Sequence, residues 1–106
     1  MCAAFKLFSR RQSFGHLQFY ETRQVLKYRI FGNTGLKVSE IGFGCARLGG
    51  VFAENGSTDE ALTVLRKALD EGINFYDTAD MYSQGEAETL LGEAFRSQRD
   101  KVVLAT

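Results

Sequence analysis

The chain has 106 residues, 44% of them hydrophobic, and its 13 basic and 13 acidic side chains balance. That length holds one small domain at most, and the even charge argues against a nucleic-acid or anionic-membrane partner. No apolar run approaches the roughly 18–20 residues that cross a bilayer, and Cys2 and Cys45 form neither a metal nor a disulfide pattern, which suits a reducing compartment.

Residues 1–27 differ in character from the rest. Lys6, Arg10, Arg11, Arg23 and Lys27 stand there against a single acid, Glu21. A basic, acid-poor, Phe-rich start has the composition of an organelle transit peptide; upstream sequence read from a misplaced start and an exposed helix are alternatives. His16, the only histidine, reads as a surface residue. From Tyr28 the pattern changes. Tyr28–Phe31 and Leu36–Ile41 alternate apolar and polar around Gly32-Asn33-Thr34-Gly35, which predicts a β-hairpin.

Ile41–Cys45 reads as a first buried strand. Gly42 and Gly44 begin like a dinucleotide-binding G-x-G-x-x-G, but Arg47 occupies the third glycine position and no helix opens at once, so that reading fails. Leu48–Gly56 is a loop whose glycosylation sequon, Asn55-Gly56-Ser57, is expected to be silent without a secretory signal. Ser57-Thr58-Asp59-Glu60 is a capping box. Ala61, Leu62, Val64, Leu65, Ala68 and Leu69 follow as one helix face, ended by Gly72.

Ile73–Thr78 is the second strand, with Ile73, Phe75 and Asp77 on one face and Asn74, Tyr76 and Thr78 on the other. A loop carrying Tyr82 leads to a second helix from about Glu86, with Leu90, Leu91, Ala94 and Phe95 as its core face. Gly92 inside that helix costs about 1 kcal/mol against alanine, so close packing is expected there. Ser97–Asp100 is a turn and Lys101–Thr106 a third strand. The order is a hairpin followed by β-α-β-α-β.

A strand that ends in a carboxylate and a following loop that bears a phenol are how catalytic groups reach the mouth of an α/β barrel. Asp77, Thr78, Ala79, Tyr82, Gly85, Glu88, Leu90, Leu91 and Gly92 stand in register with D-[TS]-A-x-x-Y-G-x-G-x-S-E-x-L-L-G. Over residues 28–106 the chain thus resembles the aldo-keto reductase family. Ser83 replaces a usual glycine and Ala87 a usual capping serine.

The resemblance implies a partial (β/α)8 TIM barrel with the hairpin plugging its bottom. A complete barrel takes about 250 residues, so residues 28–106 are expected to be its N-terminal part and 1–27 an unrelated extension. It also implies NADP(H)-dependent reduction of a small-molecule carbonyl. A tyrosine gives the proton; its ordinary pKa near 10 is high for that task, and a lysine ammonium held by an aspartate lowers it. By the resemblance Tyr82 is the proton donor and Asp77 the lysine's partner. Gly44, Cys45 and Ala46 are candidate cofactor contacts beside the nicotinamide ribose, together with Asp77; many relatives have Thr and Trp where Cys45 and Ala46 stand. The family's lysine directly follows a strand ending like Val103–Thr106, its histidine ends strand four, and its phosphate loops follow strands seven and eight. None lies within these 106 residues, so the expectation is a chain inactive by itself, prone to self-association through an open sheet, and cytoplasmic unless residues 1–27 target an organelle. The GNTGLKVSEIGFG stretch resembles the branch that includes potassium-channel β-subunits, which keeps a nucleotide-binding regulatory subunit, or a truncated product without independent function, as alternatives.

Overall fold

A hairpin and a three-stranded parallel sheet backed by two helices make up the body of the chain. The computed structural model describes residues 25–49 and 57–106, and the backbone of 12–14 and 17–19. His16, the basic cluster of the extension apart from Lys27, and Asn55-Gly56 of the sequon lie outside the described residues. Within the extension, β1 (Gln12–Phe14) pairs antiparallel with β2 (Leu17–Phe19), so the described part is a small hairpin rather than a helix.

β3 (Tyr28–Ile30) and β4 (Lys37–Ser39) form the expected hairpin, with Arg29 opposite Val38. The Phe31 amide donates to the Leu36 carbonyl and the Thr34 hydroxyl to the Phe31 carbonyl, closing the turn. Its side chains then fasten it to the next unit. The Asn74 side-chain oxygen accepts from the Ser39 amide at 2.7 Å, its Nδ2 donates to the Lys37 carbonyl at 2.9 Å, and its backbone amide donates to the Ser39 hydroxyl at 3.1 Å. Ser39 is 3% exposed, so the two bonds it makes with Asn74 satisfy polar groups largely withdrawn from water. Phe31 stacks on Phe75 with ring centroids 5.3 Å apart. The Tyr28 hydroxyl donates to the Gly72 carbonyl, and a Cβ at Gly72 (φ +102°) would lie 2.9 Å from that hydroxyl oxygen. The left-handed backbone favours glycine here, and a side chain would also displace the Tyr28 hydroxyl. The hairpin therefore covers the N-terminal end of the sheet.

β5 (Phe43–Gly44), β6 (Phe75–Asp77) and β7 (Val103–Ala105) are parallel in the order β5-β6-β7, each shorter than its apolar run suggests. They are joined through α1 (Thr58–Asp70) and α2 (Glu86–Ala94), realising the β-α-β-α-β order. α1 starts at the predicted capping box: the Ser57 hydroxyl accepts from the Glu60 amide, and the Glu60 carboxylate accepts from the Ser57 amide. Ala61, Leu62, Leu65 and Ala68 of α1 and Ala87, Leu90, Leu91 and Ala94 of α2 share one core with Tyr76 and Phe95. Tyr76 is the hub. It is fully buried, 4.8 Å from the Phe95 ring and 5.7 Å from Phe43, and its hydroxyl donates to the Ile73 carbonyl at 3.0 Å.

Two expectations about the helices are corrected. Val64 is exposed: at 3.6 residues per turn it falls about 100° from the centre of the face that carries the other five positions. Gly92 is exposed too, and nothing lies within 4 Å of a Cβ built on it. It points away from the core, so it serves no close packing among the described residues.

Candidate active site

The C-terminal ends of the three strands form a level edge. Gly44 is in register with Asp77, and Asp77 with Ala105. The period of two puts Tyr76 and Thr78 beneath the helices and leaves Asp77 exposed on the opposite side. Thr78 is 6% exposed, its amide donates to the Ala105 carbonyl, and its hydroxyl has no hydrogen-bond partner among the described residues.

The residues singled out near a cofactor divide into two groups. Gly44, Ala46 and Asp77 are exposed at this edge, and a Cβ on Gly44 would meet nothing within 4 Å. Cys45 is turned the other way. Its side chain is fully buried in the core, its amide donates to the Asp77 carbonyl, and its carbonyl accepts from the Leu48 amide. Burial pushes the Cys45 thiol up to about 11, with the negative charge of Asp77 adding to the rise. The same desolvation raises the Tyr76 phenol. Both side chains are packed in the core, where burial favours their neutral forms.

Tyr82 stands on the other side of a sharp loop from Asp77. Its amide donates to the Ala79 carbonyl, and its ring is half-buried against the core. A short 3₁₀ segment, Tyr82–Gly85, then turns the chain into α2. Inside it Ser83 (φ 49°, ψ 40°) and Gln84 (φ 56°, ψ 38°) are left-handed, as is Gly85. The left-handed region costs an ordinary residue about 1–2 kcal/mol, which explains why glycine is usual at the Ser83 position. The Ser83 hydroxyl donates to the Leu48 carbonyl at 2.9 Å, joining this loop to the one after β5. Gly85 is the N-cap of α2, and Ala87 is fully buried in the core, a position unsuited to a capping serine hydroxyl. Glu88 of the motif accepts from the Thr106 hydroxyl at 2.6 Å, tying α2 to the end of β7.

The structure thus brings Gly44, Ala46, Asp77 and the Tyr82 loop to one end of the sheet and withdraws the Cys45 side chain from it. Sequence reasoning missed the Ser83–Leu48 tie, although its signal was present in the departure from glycine. Among the described residues no group of three or more His, Cys, Asp or Glu side chains could hold a metal ion.

Comparison with known proteins gives the chain's family. The family model described as "Aldo/keto reductase family" matches residues 40–106. "L-galactose dehydrogenase" of Arabidopsis thaliana is 39% identical over 84 residues, covering 76% of this chain and 26% of that protein. "Probable voltage-gated potassium channel subunit beta" of the same plant is 34% identical over 84 residues, with 76% and 25% covered. The solved holo form of aldo-keto reductase AKR11C1 from Bacillus halodurans superposes with a TM-score of 0.65 at 38% identity, covering 74% of this chain and 24% of that one. The chain spans about a quarter of the length of the relatives it matches, and over residues 40–106 its strands and helices are part of the family's TIM barrel. On its motif, its fold and these matches, the chain belongs to the aldo/keto reductase family.

Proposed function

We propose that residues 28–106 form the cofactor-side and proton-donor part of an NADP(H)-dependent carbonyl reductase. The observation that carries this reading is the common edge on which exposed Gly44, Ala46 and Asp77 meet the loop of Tyr82. The residues fit a nicotinamide nucleotide: open space above Gly44 and the single methyl of Ala46 leave room for a ring against the strand ends. Bound there, the reduced nicotinamide would supply the hydride.

The chain's own residues do the rest of what this segment can do. The Tyr82 phenol gives its proton to the carbonyl oxygen as charge develops on it. Asp77, held on a strand rather than a loop, offers its carboxylate to pair with the lysine ammonium that the family pattern sets beside this tyrosine. The family pattern places the lysine just beyond a strand like Val103–Thr106 and the histidine at the end of the fourth strand. Turnover on this reading needs those segments, and the 106-residue chain by itself is expected to reduce no aldehyde.

A second reading, a regulatory subunit that binds nucleotide with little turnover, draws on the likeness to the channel subunit. One experiment separates them. Residues 28–106 are exchanged for the matching quarter of the Bacillus halodurans reductase and NADPH oxidation is followed with an aromatic aldehyde. The catalytic reading expects turnover that Tyr82→Phe lowers about 10²–10⁴-fold, the usual worth of a positioned acid. An exchange protein that folds and binds NADPH but turns over no faster than its Tyr82→Phe form would favour the regulatory reading.

A further inference from the structure

Ser83 is the residue that neither the core nor the proposed chemistry accounts for. It replaces the glycine usual in the motif, yet its backbone keeps the left-handed conformation that glycine serves (φ 49°, ψ 40°), and Gln84 beside it does the same. A strained conformation persists only where the surroundings over-determine it. Here they do so twice. The Ser83 hydroxyl donates to the Leu48 carbonyl at 2.9 Å across 35 residues of sequence. Next to Leu48, Gly49 (φ +95°) comes so close that a Cβ on it would lie 3.0 Å from the Ser83 Cβ and 2.8 Å from a carboxylate oxygen of Glu86. The loop after β5, which starts at Ala46, and the loop after β6, which carries Tyr82, are therefore pressed together at Ser83. Leu48 is itself 3% exposed and its amide donates to Cys45, which anchors that side of the contact in the core.

We infer that Ser83 is a positioning residue: its hydroxyl ties the Tyr82 loop to the Leu48–Gly49 turn and so sets the height of the Tyr82 phenol over the strand edge that bears Gly44 and Ala46. The inference rests on the reading of Tyr82 as proton donor, but the tie itself acts in this chain whether or not turnover occurs. A glycine here would follow the same path with nothing to hold it to Leu48. The strain at Ser83 is offset by a bond that glycine cannot make, which couples the two loops in this chain in a way the usual motif does not.

Amide hydrogen exchange and ¹³C-tyrosine spectra of the full 106-residue chain test this. The reporters are the Leu48 amide, bonded to the Cys45 carbonyl, and the Tyr82 amide, bonded to the Ala79 carbonyl. Ser83→Ala is expected to lower protection at both together by about tenfold, the size of one lost hydrogen bond, and to shift or broaden the Tyr82 ring signals, while Leu90 and Leu91 amides in α2 keep theirs. Ser83→Gly removes the hydroxyl and relieves the backbone, so it keeps the experiment readable if alanine fails to fold; the same paired loosening is expected. Full protection at both reporters in Ser83→Gly overturns the inference. So does loosening at Leu48 with unchanged Tyr82 ring signals, which would mark a tie that positions nothing, or an equal loss at Leu90 and Leu91, which would mark general destabilisation. If Tyr82→Phe proves harmless in the exchanged reductase while the paired loosening is seen, the catalytic reading falls and the tie between the loops stands.

Discussion

Tyr76 and Asp77 are neighbours on one strand and opposites in environment. Tyr76 is fully buried beneath α1 and α2, in contact with Phe43 and Phe95, while the next residue stands exposed on the other side of the sheet. The helix-backed side holds the chain's close packing, and the open side holds its candidate chemistry. The same division continues at the end of β5, where the side chain of Cys45 belongs to the core and its neighbours Gly44 and Ala46 to the edge. A residue's place in the period of two therefore decides whether its side chain belongs to the core or to the candidate site.

The strongest test of that division sets Tyr76→Ala against Asp77→Ala in denaturant melts. Loss of a buried aromatic ring is expected to destabilise by about 3–5 kcal/mol, against about 0.5 kcal/mol or less for an exposed carboxylate. Comparable losses from the two would break the comparison.

Next in size is an alkaline limb of stability assigned to the core. The folded Cys45 thiol titrates at about 11 against an ordinary 9.0. A raised acid is neutral in the fold over a range where the unfolded chain ionises. Its stabilising contribution is present below about pH 9 and is lost as pH rises through 11. The loss amounts to about 2–3 kcal/mol, at 1.36 kcal/mol per unit of pKa difference. In a Cys2→Ser background, Cys45→Ser is expected to flatten stability between pH 9 and 10, above which the raised Tyr76 phenol adds its own slope, and the native thiol to resist thiol reagents at pH 8. A freely reactive Cys45 would place it on the open side after all.

The smallest effects sharpen the picture within the helices. Ser57→Ala removes half of a capping box and is expected to cost about 1 kcal/mol. Gly92→Ala, at an exposed helical position with room for a methyl group, is expected to gain about 0.5–1 kcal/mol. Thermal melts resolve both, and a destabilising Gly92→Ala would show that the outer face of α2 is in use.

The sequence alone determined the features that depend on local rules. The hairpin at 28–39 follows from alternation around a glycine turn, α1 from its capping box, and the opposed faces of Tyr76 and Asp77 from the geometry of a strand. The family motif from Asp77 to Gly92 was legible because it is contiguous. Tertiary structure decided what depends on distant partners. It made Asn74 the fastening of the hairpin, 35 residues from Ser39. It turned the Cys45 side chain into the core between two exposed neighbours, left Gly92 and Val64 facing outward, and gave Ser83 a left-handed backbone held by Leu48. Periodicity says which side chains share a face, but only the packing of helices on one side of the sheet says which face is inside, and the partner of a hydrogen bond across 35 residues is not written in either local stretch.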